Sequence, residues 1–408
     1  MNFAEPLVLP NGASIPNRIA KAAMEENMAD ADHAPSAALI RLYGQWAAGK
    51  VGLIITGNVM IDARAMTGPG GVVLEDARHL DRFKSWSQTA RAHGAQVWMQ
   101  INHPGRQMPG ALHQTTIAPS AVALDLGQLS KHFSVPREMT EADIADVRRR
   151  FVVAAKLAEL SGFNGVQIHA AHGYLLSQFL SPLSNQRQDQ WGGALENRAH
   201  LLLDIVREVR ANVSAGFVVA VKLNSADFQR GGFATEDARQ VIQWLNDCQV
   251  DLVELSGGSY EAPAMQGAAR DGRTLAREAY FLEFAKEMLS TARMPLMVTG
   301  GIRSPHVAEQ VIASGVAMVG IATALAIDPQ LPAQWMRGEQ GVPALPPITW
   351  KNKPLASLAT MAVVKFQLNR LSRGQLTKPD VSPLWAFIVQ QIGDLVKSKR
   401  YRAWVTNR

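Results

Sequence analysis

Residues 140–169 read TEADIADVRRRFVVAAKLAELSGFNGVQIH, and they hold one complete helix-to-strand unit. Thr140 followed three residues later by Asp143 is a capping-box start, with Asp in place of Glu or Gln. Ile144, Val147, Phe151, Ala154 and Ala158 then recur with the 3.6-residue period of a helix that buries one face. Gly162 supplies the stop. Gly165–His169 then reads as a short strand, apolar enough to be buried on both faces.

The unit repeats in both directions along the chain. Strand-like runs lie at Arg18–Met24, Val51–Asn58, Gln96–Asn102, Gly165–His169, Phe217–Asn224, Leu252–Ser256, Pro295–Thr299 and Ala317–Ile321, and most lead into an amphipathic helical pattern. Ser304 and Pro305 open one such helix, with Val307, Val311 and Ile312 on its inner face and Gly315 at its end. Strands alternating with helices in eight units predict an α/β fold, a (β/α)8 TIM barrel. A doubly wound open sheet is the second choice, but no G-x-G-x-x-G follows an early strand. Two insertions interrupt the pattern: 104–139, rich in His, Pro and Ser and expected to cap the barrel mouth, and 259–277, which is Gly-rich. The barrel domain is therefore expected over 1–340. Residues 341–350, GVPALPPITW, form a Pro-rich linker into a helical extension over 341–408, expected to pack on the barrel or on a neighbouring subunit of a homo-oligomer.

Composition narrows the function. Hydrophobic residues at 47% and charged residues at 19% of 408 give a globular balance and exclude a disordered chain. No apolar run nears the roughly 20 residues that cross a bilayer, and MNFAEPLVLPNG carries no secretory signal. The net charge of +6 is scattered, which argues against nucleic acid and suits a phosphorylated cofactor or nicotinamide nucleotide. Cys248 is the single cysteine, so intramolecular disulfides, multi-cysteine zinc sites and four-cysteine iron–sulfur clusters are excluded. Its place after IQWLND reads as a small buried core residue in a reduced, cytoplasmic protein. No metal site is expected.

The chemistry concentrates after the fourth strand. His169 ends it, and His172 and Tyr174 follow within five residues. Barrel active sites sit at the C-terminal ends of strands. Two imidazoles and a phenol there suit binding a carbonyl oxygen and delivering a proton. Taken alone, Gln100 reads as an ordinary polar strand end, Lys222 as an ion-pair partner, and Gly300-Gly301 as a turn.

The segment from His169 resembles the old yellow enzyme family of FMN-dependent ene-reductases. The family motif H-A-A-H/N-G-Y stands here as His169-Ala170-Ala171-His172-Gly173-Tyr174. It continues through Leu176, Phe179-Leu180-Ser181-Pro182, Asn185, Arg187, Asp189, Trp191-Gly192-Gly193 and Glu196-Asn197-Arg198, departing at Trp191 for Tyr and Ala194 for Ser. Pro16-Asn17-Arg18-Ile19 and the Gln96–Arg106 stretch agree, and the likeness runs from about residue 3 to 335. The resemblance implies a non-covalent FMN, with Gln100 on the flavin pyrimidine edge and Gly300 and Gly301 at the phosphate. Lys222 stands where the family has an Arg beside the flavin, which keeps the charge and loses the bidentate fork. Ala322-Thr323 stands in place of the family's Gly-Arg pair, so phosphate binding falls to backbone N–H groups, the Thr323 hydroxyl and Arg303. Ala23, Met24 and Glu25 follow strand one where the family has a Thr or Cys near the flavin, and Gly57 at the end of strand two joins the expected flavin contacts.

The implied reaction has two halves. NADPH or NADH gives hydride to FMN, and the reduced flavin gives it to Cβ of an α,β-unsaturated carbonyl compound. His169 and His172 hold the substrate oxygen, and Tyr174 protonates Cα. Two alternatives stand beside it: a flavin- or ligand-binding barrel with little turnover, given the altered flavin contacts, and a Schiff-base enzyme using Lys222, which leaves Gln100 and the His–His–Tyr set unexplained.

Overall fold

The apolar runs fold as eight parallel strands that close on themselves in the computed structural model, which describes residues 2–264 and 278–408. They are β1 (Ile19–Lys21), β2 (Leu53–Ile55), β3 (Gln96–Asn102), β4 (Gly165–Ala170), β5 (Val218–Asn224), β6 (Leu252–Ser256), β7 (Leu296–Val298) and β8 (Met318–Ile321). Each pairs with the next, and β8 returns to β1 through Val319↔Ile19, so the sheet is a barrel. Several strands are shorter than their apolar runs, because the flanking residues leave the ladder to form the loops at each end.

Helices follow the strands on the outside: α1 (Ala37–Ala48), α2 (Leu80–Arg91), α3 (Glu141–Leu160), α4 (Leu195–Asn212), α5 (Thr235–Leu245), α6 (Leu282–Met288) and α7 (Pro305–Ala313). The expected capping box forms at α3: the Thr140 hydroxyl accepts from the Asp143 N–H, and the Asp143 carboxylate accepts from the Thr140 N–H. Ile144, Val147, Phe151, Ala154 and Ala158 are all buried. At α7 the core contacts are Ala308, Val311 and Ile312, and Val307 is only partly buried. Cys248 is buried in a single helical turn after α5.

Residue parity along the strands decides where the site lies, since successive side chains face opposite sides. Val97, Met99, Val166, Ile168, Val219, Val221, Val253 and Leu255 belong to the large core shared with the helices. The alternate residues Trp98, Val218, Ala220, Leu252, Met297 and Met318 fill the barrel interior, with Leu7, Leu9 and Ile15 of an N-terminal hairpin among them. Continuing on that inward parity toward the C-terminal ends, the side chains turn polar: Gln100 after Trp98, Lys222 after Ala220, Glu254 after Leu252. The lower barrel is thus an apolar plug and the upper barrel a polar floor.

The segment 104–139 forms short helical turns and a two-stranded ribbon, Ile117–Ala118 with Arg137–Glu138. It touches the β6 loop through Arg106–Glu261 (2.7 Å) and the β4 loop through Gln107, whose amide donates to the His172 carbonyl at 2.9 Å. Of the Gly-rich insertion, 265–277 lies outside the described residues. The extension folds as α8 (Lys353–Ser372) and α9 (Pro383–Thr406), which pack on each other and on the barrel.

His103, just past β3, is 2% exposed and its Nδ1 accepts the Gly105 N–H. Burial pushes its pKa down to about 4. The unfolded chain takes this proton first, near the ordinary 6.5, so the neutral folded form loses stability as pH falls from 6.5 to about 4. The expected loss across that window is about 3 kcal/mol, at about 1.4 kcal/mol per pH unit. A His103→Gln variant should flatten that part of the melting-temperature curve, and an unchanged acid limb would assign the loss to other groups.

Candidate functional site

A chain of buried polar side chains crosses the barrel floor. Gln100 on β3 donates to Gln167 on β4 (2.7 Å), Gln167 donates to Glu254 on β6 (2.7 Å), and Glu254 pairs with Lys222 on β5 (2.9 Å). Strand register brings them together, since Gln100 lies opposite Gln167 and Lys222 opposite both His169 and Glu254. Every member is at most 3% exposed. Lys222 is therefore both an ion-pair partner and a wall of the cavity above the floor.

The three groups after β4 converge. The His169 ring lies 5.1 Å from the His172 ring and 4.9 Å from the Tyr174 ring, edge to face in both cases. The turn that achieves this is tight: His172 sits in the left-handed region at φ 60° and Gly173 at φ 73°. That conformation costs a residue with a Cβ about 1–2 kcal/mol. Asn224 at the end of β5 accepts the His172 N–H (3.0 Å), and Ser256 at the end of β6 bonds its Nε2 (2.7 Å), so both strands hold the strained residue. The Ala171 N–H donates to His169 Nδ1 (3.2 Å), which places the His169 proton on Nε2, where it is a donor. Burial, and after it the nearby Lys222 charge, holds both imidazoles well below their ordinary pKa, so they are neutral at pH 7.

Tyr174 has a partner that sequence reasoning missed. Its hydroxyl lies 3.1 Å from that of Tyr260, which comes from the loop after β6. Burial raises the Tyr174 phenol well above its ordinary pKa, and Tyr260 and Glu25 add to the rise. Glu25 does not line the main cavity. It accepts a hydrogen bond from Thr67 and lies close enough to both phenols to hold them protonated. Gly57 also departs from the expectation. Its N–H donates to the Tyr43 hydroxyl (2.9 Å), and a Cβ there would strike the Met24 carbonyl and the Glu26 carboxylate, so close packing explains the glycine.

The main cavity, about 450 Å³, opens at the C-terminal ends of the strands. Ala22, Ala23, His172, Lys222, Ser256, Gly300, Gly301, Ala322 and Thr323 line it, while Gln100, His169, Tyr174, Met24, Glu25 and Gly57 lie outside that lining. The linker residues Pro343–Ile348 close one wall, where the sequence alone predicts only a linker into the extension.

Comparison with known proteins decides the family. The model of the NADH:flavin oxidoreductase / NADH oxidase family matches residues 3–340. The chain belongs to that family. Within it, the chain is 37% identical to the NADH-dependent flavin oxidoreductase iccE of Talaromyces variabilis, over 81% of this chain and 86% of that one. It is equally identical to the NADH-dependent flavin oxidoreductase iliE of Neonectria sp. (strain DH2), again over 81% of this chain, but it spans only 46% of that longer relative. A 2-naphthoyl-CoA reductase superposes with a TM-score of 0.76 at 26% identity, covering 83% of this chain and 52% of the other. The old yellow enzyme homologue of Zymomonas mobilis superposes at 0.72 with 23% identity, covering 88% and 98%, and shares the barrel fold.

FMN is the family's cofactor and NAD(P)H its reductant, and the cavity suits a flavin at one end. Alanines and glycines leave a slot at the strand ends and Lys222 presents a cation; Gly300 and Gly301 lie at φ 110° and 77°, and a Cβ on Gly301 would strike Tyr280, so packing already accounts for that glycine. The phosphate end differs from expectation. At the start of α7 the Arg303 and Ser304 N–H groups (3.2 Å each) and the Ser304 hydroxyl (2.9 Å) donate to Glu278, which also pairs with Arg303 (2.8 Å). A carboxylate holds the donors that an anion at a helix start would use. Glu278→Gln should therefore tighten FMN binding about 10-fold, from the like-charge term of a few kcal/mol or less at a partly exposed site. Fluorescence titration of the apoprotein with FMN reads this. Weaker binding would mean instead that Glu278 holds Arg303 toward the phosphate.

Proposed function

We propose that this NADH:flavin oxidoreductase reduces the C=C bond of α,β-unsaturated carbonyl or similarly electron-poor compounds. The observation that carries the reading is the His169–His172–Tyr174 cluster at the end of β4, whose His172 lines the cavity together with Lys222 and whose His169 and Tyr174 rings pack directly behind it. Bound FMN supplies the hydride, taken from NAD(P)H. The chain's residues do the rest. Neutral His169 donates from Nε2 to the substrate oxygen and His172, its Nε2 taken by the Ser256 hydroxyl, adds a second donor from Nδ1, which draws electron density from Cβ. Tyr174 gives its proton to Cα, and Tyr260 lies within hydrogen-bond reach to share the phenolate charge. Alanines and glycines along the cavity wall support flavin contacts from Ala23, Gly300, Gly301, Ala322 and Thr323. Gln100, bonded to Gln167 in the floor below, would act on a flavin only through that network and Lys222. NADH is the preferred nucleotide by analogy with the relatives' names, and the buried Cys248 fits a reduced cytoplasmic setting.

Glu278 at the anion site supports a second reading, a flavin-holding barrel with little turnover. One experiment separates them. Anaerobic NADH should bleach the yellow protein, and 2-cyclohexenone should restore the colour at a catalytic rate. Bleaching without reoxidation by any enone or enal would favour the second reading.

A further inference from the structure

The outer face of α9 is apolar where a surface helix is normally charged. Leu384, Trp385, Ile388, Val389, Ile392, Leu395 and Val396 are all exposed, with Trp385 at 57%, Ile392 at 59% and Leu395 at 72%. The opposite face is fixed to the barrel: Tyr401 is fully buried and its hydroxyl donates to the Ala63 carbonyl (2.9 Å), Lys397 donates to the Asn27 carbonyl (2.8 Å), and Arg402 to the Ala111 carbonyl (2.9 Å). The helix is rigidly held with its apolar side outward.

The spacing specifies the occupant. Trp385, Ile388, Ile392 and Leu395 follow one another at 3, 4 and 3 residues, the a–d seam of a coiled coil, and Leu384, Val389 and Val396 flank it. Such a seam fits another helix of the same pattern. Charge sets the direction. The exposed stretch 384–396 carries no charged residue on that seam, exposed Lys399 and Arg400 form a purely basic end beyond it, and the exposed pair Lys378 and Asp380, of no net charge, lies before its start. An antiparallel pair centred on residue 390 brings Arg400 of one copy beside Asp380 of the other, whereas a parallel pair would set the basic ends together. Roughly 600–700 Å² of apolar surface per copy would be covered, close to the about 800 Å² per partner of a standard interface.

We propose that α9 is a homodimerisation helix, pairing antiparallel with α9 of a second copy of this chain about a two-fold axis near residue 390. A lipid surface is a poorer match, because the seam lacks basic residues along its length and Lys397 and Arg402 are already bonded to the barrel.

Sedimentation equilibrium of the full-length, FMN-loaded protein tests this. The wild type should run at twice its 44.3 kDa. Ile392→Glu should raise the dimer dissociation constant at least about 100-fold, since it buries two charges at the centre of the seam. FMN content and NADH oxidation should not change, because the residue touches neither the cavity nor the core, while the melting temperature should lose its dependence on protein concentration. Asp380→Arg should weaken the dimer about 10-fold, and Asp380→Arg with Arg400→Asp should restore it. A wild-type monomer at 50 µM (about that concentration being ample for a standard interface) would overturn the proposal. So would an intact Ile392→Glu dimer, a charge swap that fails to restore pairing, or a monomer that co-sediments with phosphatidylcholine–phosphatidylglycerol vesicles.

Discussion

Tyr174→Phe is expected to lower enone reduction by about 10²–10⁴, the usual worth of a positioned general acid. FMN content and flavin reduction by NADH should stay at wild-type values. The substitution removes one hydroxyl and almost no volume, and the ring keeps its contact with His169. The phenol's raised pKa, caused chiefly by burial, keeps it protonated at neutral pH, so the proton is present whenever substrate arrives. Stopped-flow separates the halves: the reductive phase should be unaltered and the reoxidation by 2-cyclohexenone slowed. Tyr260→Phe should act more weakly, since it removes a neighbour of the acid and leaves the acid in place. An unchanged oxidative half-reaction in Tyr174→Phe would remove this residue from the mechanism and leave Tyr260 or solvent as the proton source.

Lys222→Met should damage both fold and flavin site. Glu254 is fully buried and Lys222 is its cation at 2.9 Å. Removing one member of a buried pair strands the other, at a cost of about 3–5 kcal/mol. Lys222→Met with Glu254→Gln removes both charges and should recover most of that stability. FMN affinity should not recover: loss of a charge-assisted contact predicts binding about 10–100-fold weaker in both variants. Thermal melting and FMN titration of the two proteins give the answer. Full FMN affinity in the double variant would confine Lys222 to the floor network.

Much of this protein was legible before folding was considered. The repeat of strand and helix, the Thr140–Asp143 cap and the buried stripe of α3 follow from side-chain periods and local hydrogen bonds, which act within a few residues. His169, His172 and Tyr174 were legible for the same reason, since one turn of backbone holds all three.

What tertiary structure alone decided lies between residues far apart in the chain. Parallel neighbours are separated by a whole strand–helix unit, so only barrel closure sets the register that joins Gln100, Gln167, Glu254 and Lys222 into one network. Tyr260 reaches Tyr174 across 86 residues, and no local pattern marks it as a partner. Glu25 and Gly57 sit in the expected loops, yet their neighbours Thr67, Tyr43 and Glu26 turn them to other contacts. Glu278 takes the start of α7 because an unsatisfied helix N-terminus accepts whichever carboxylate the fold brings to it.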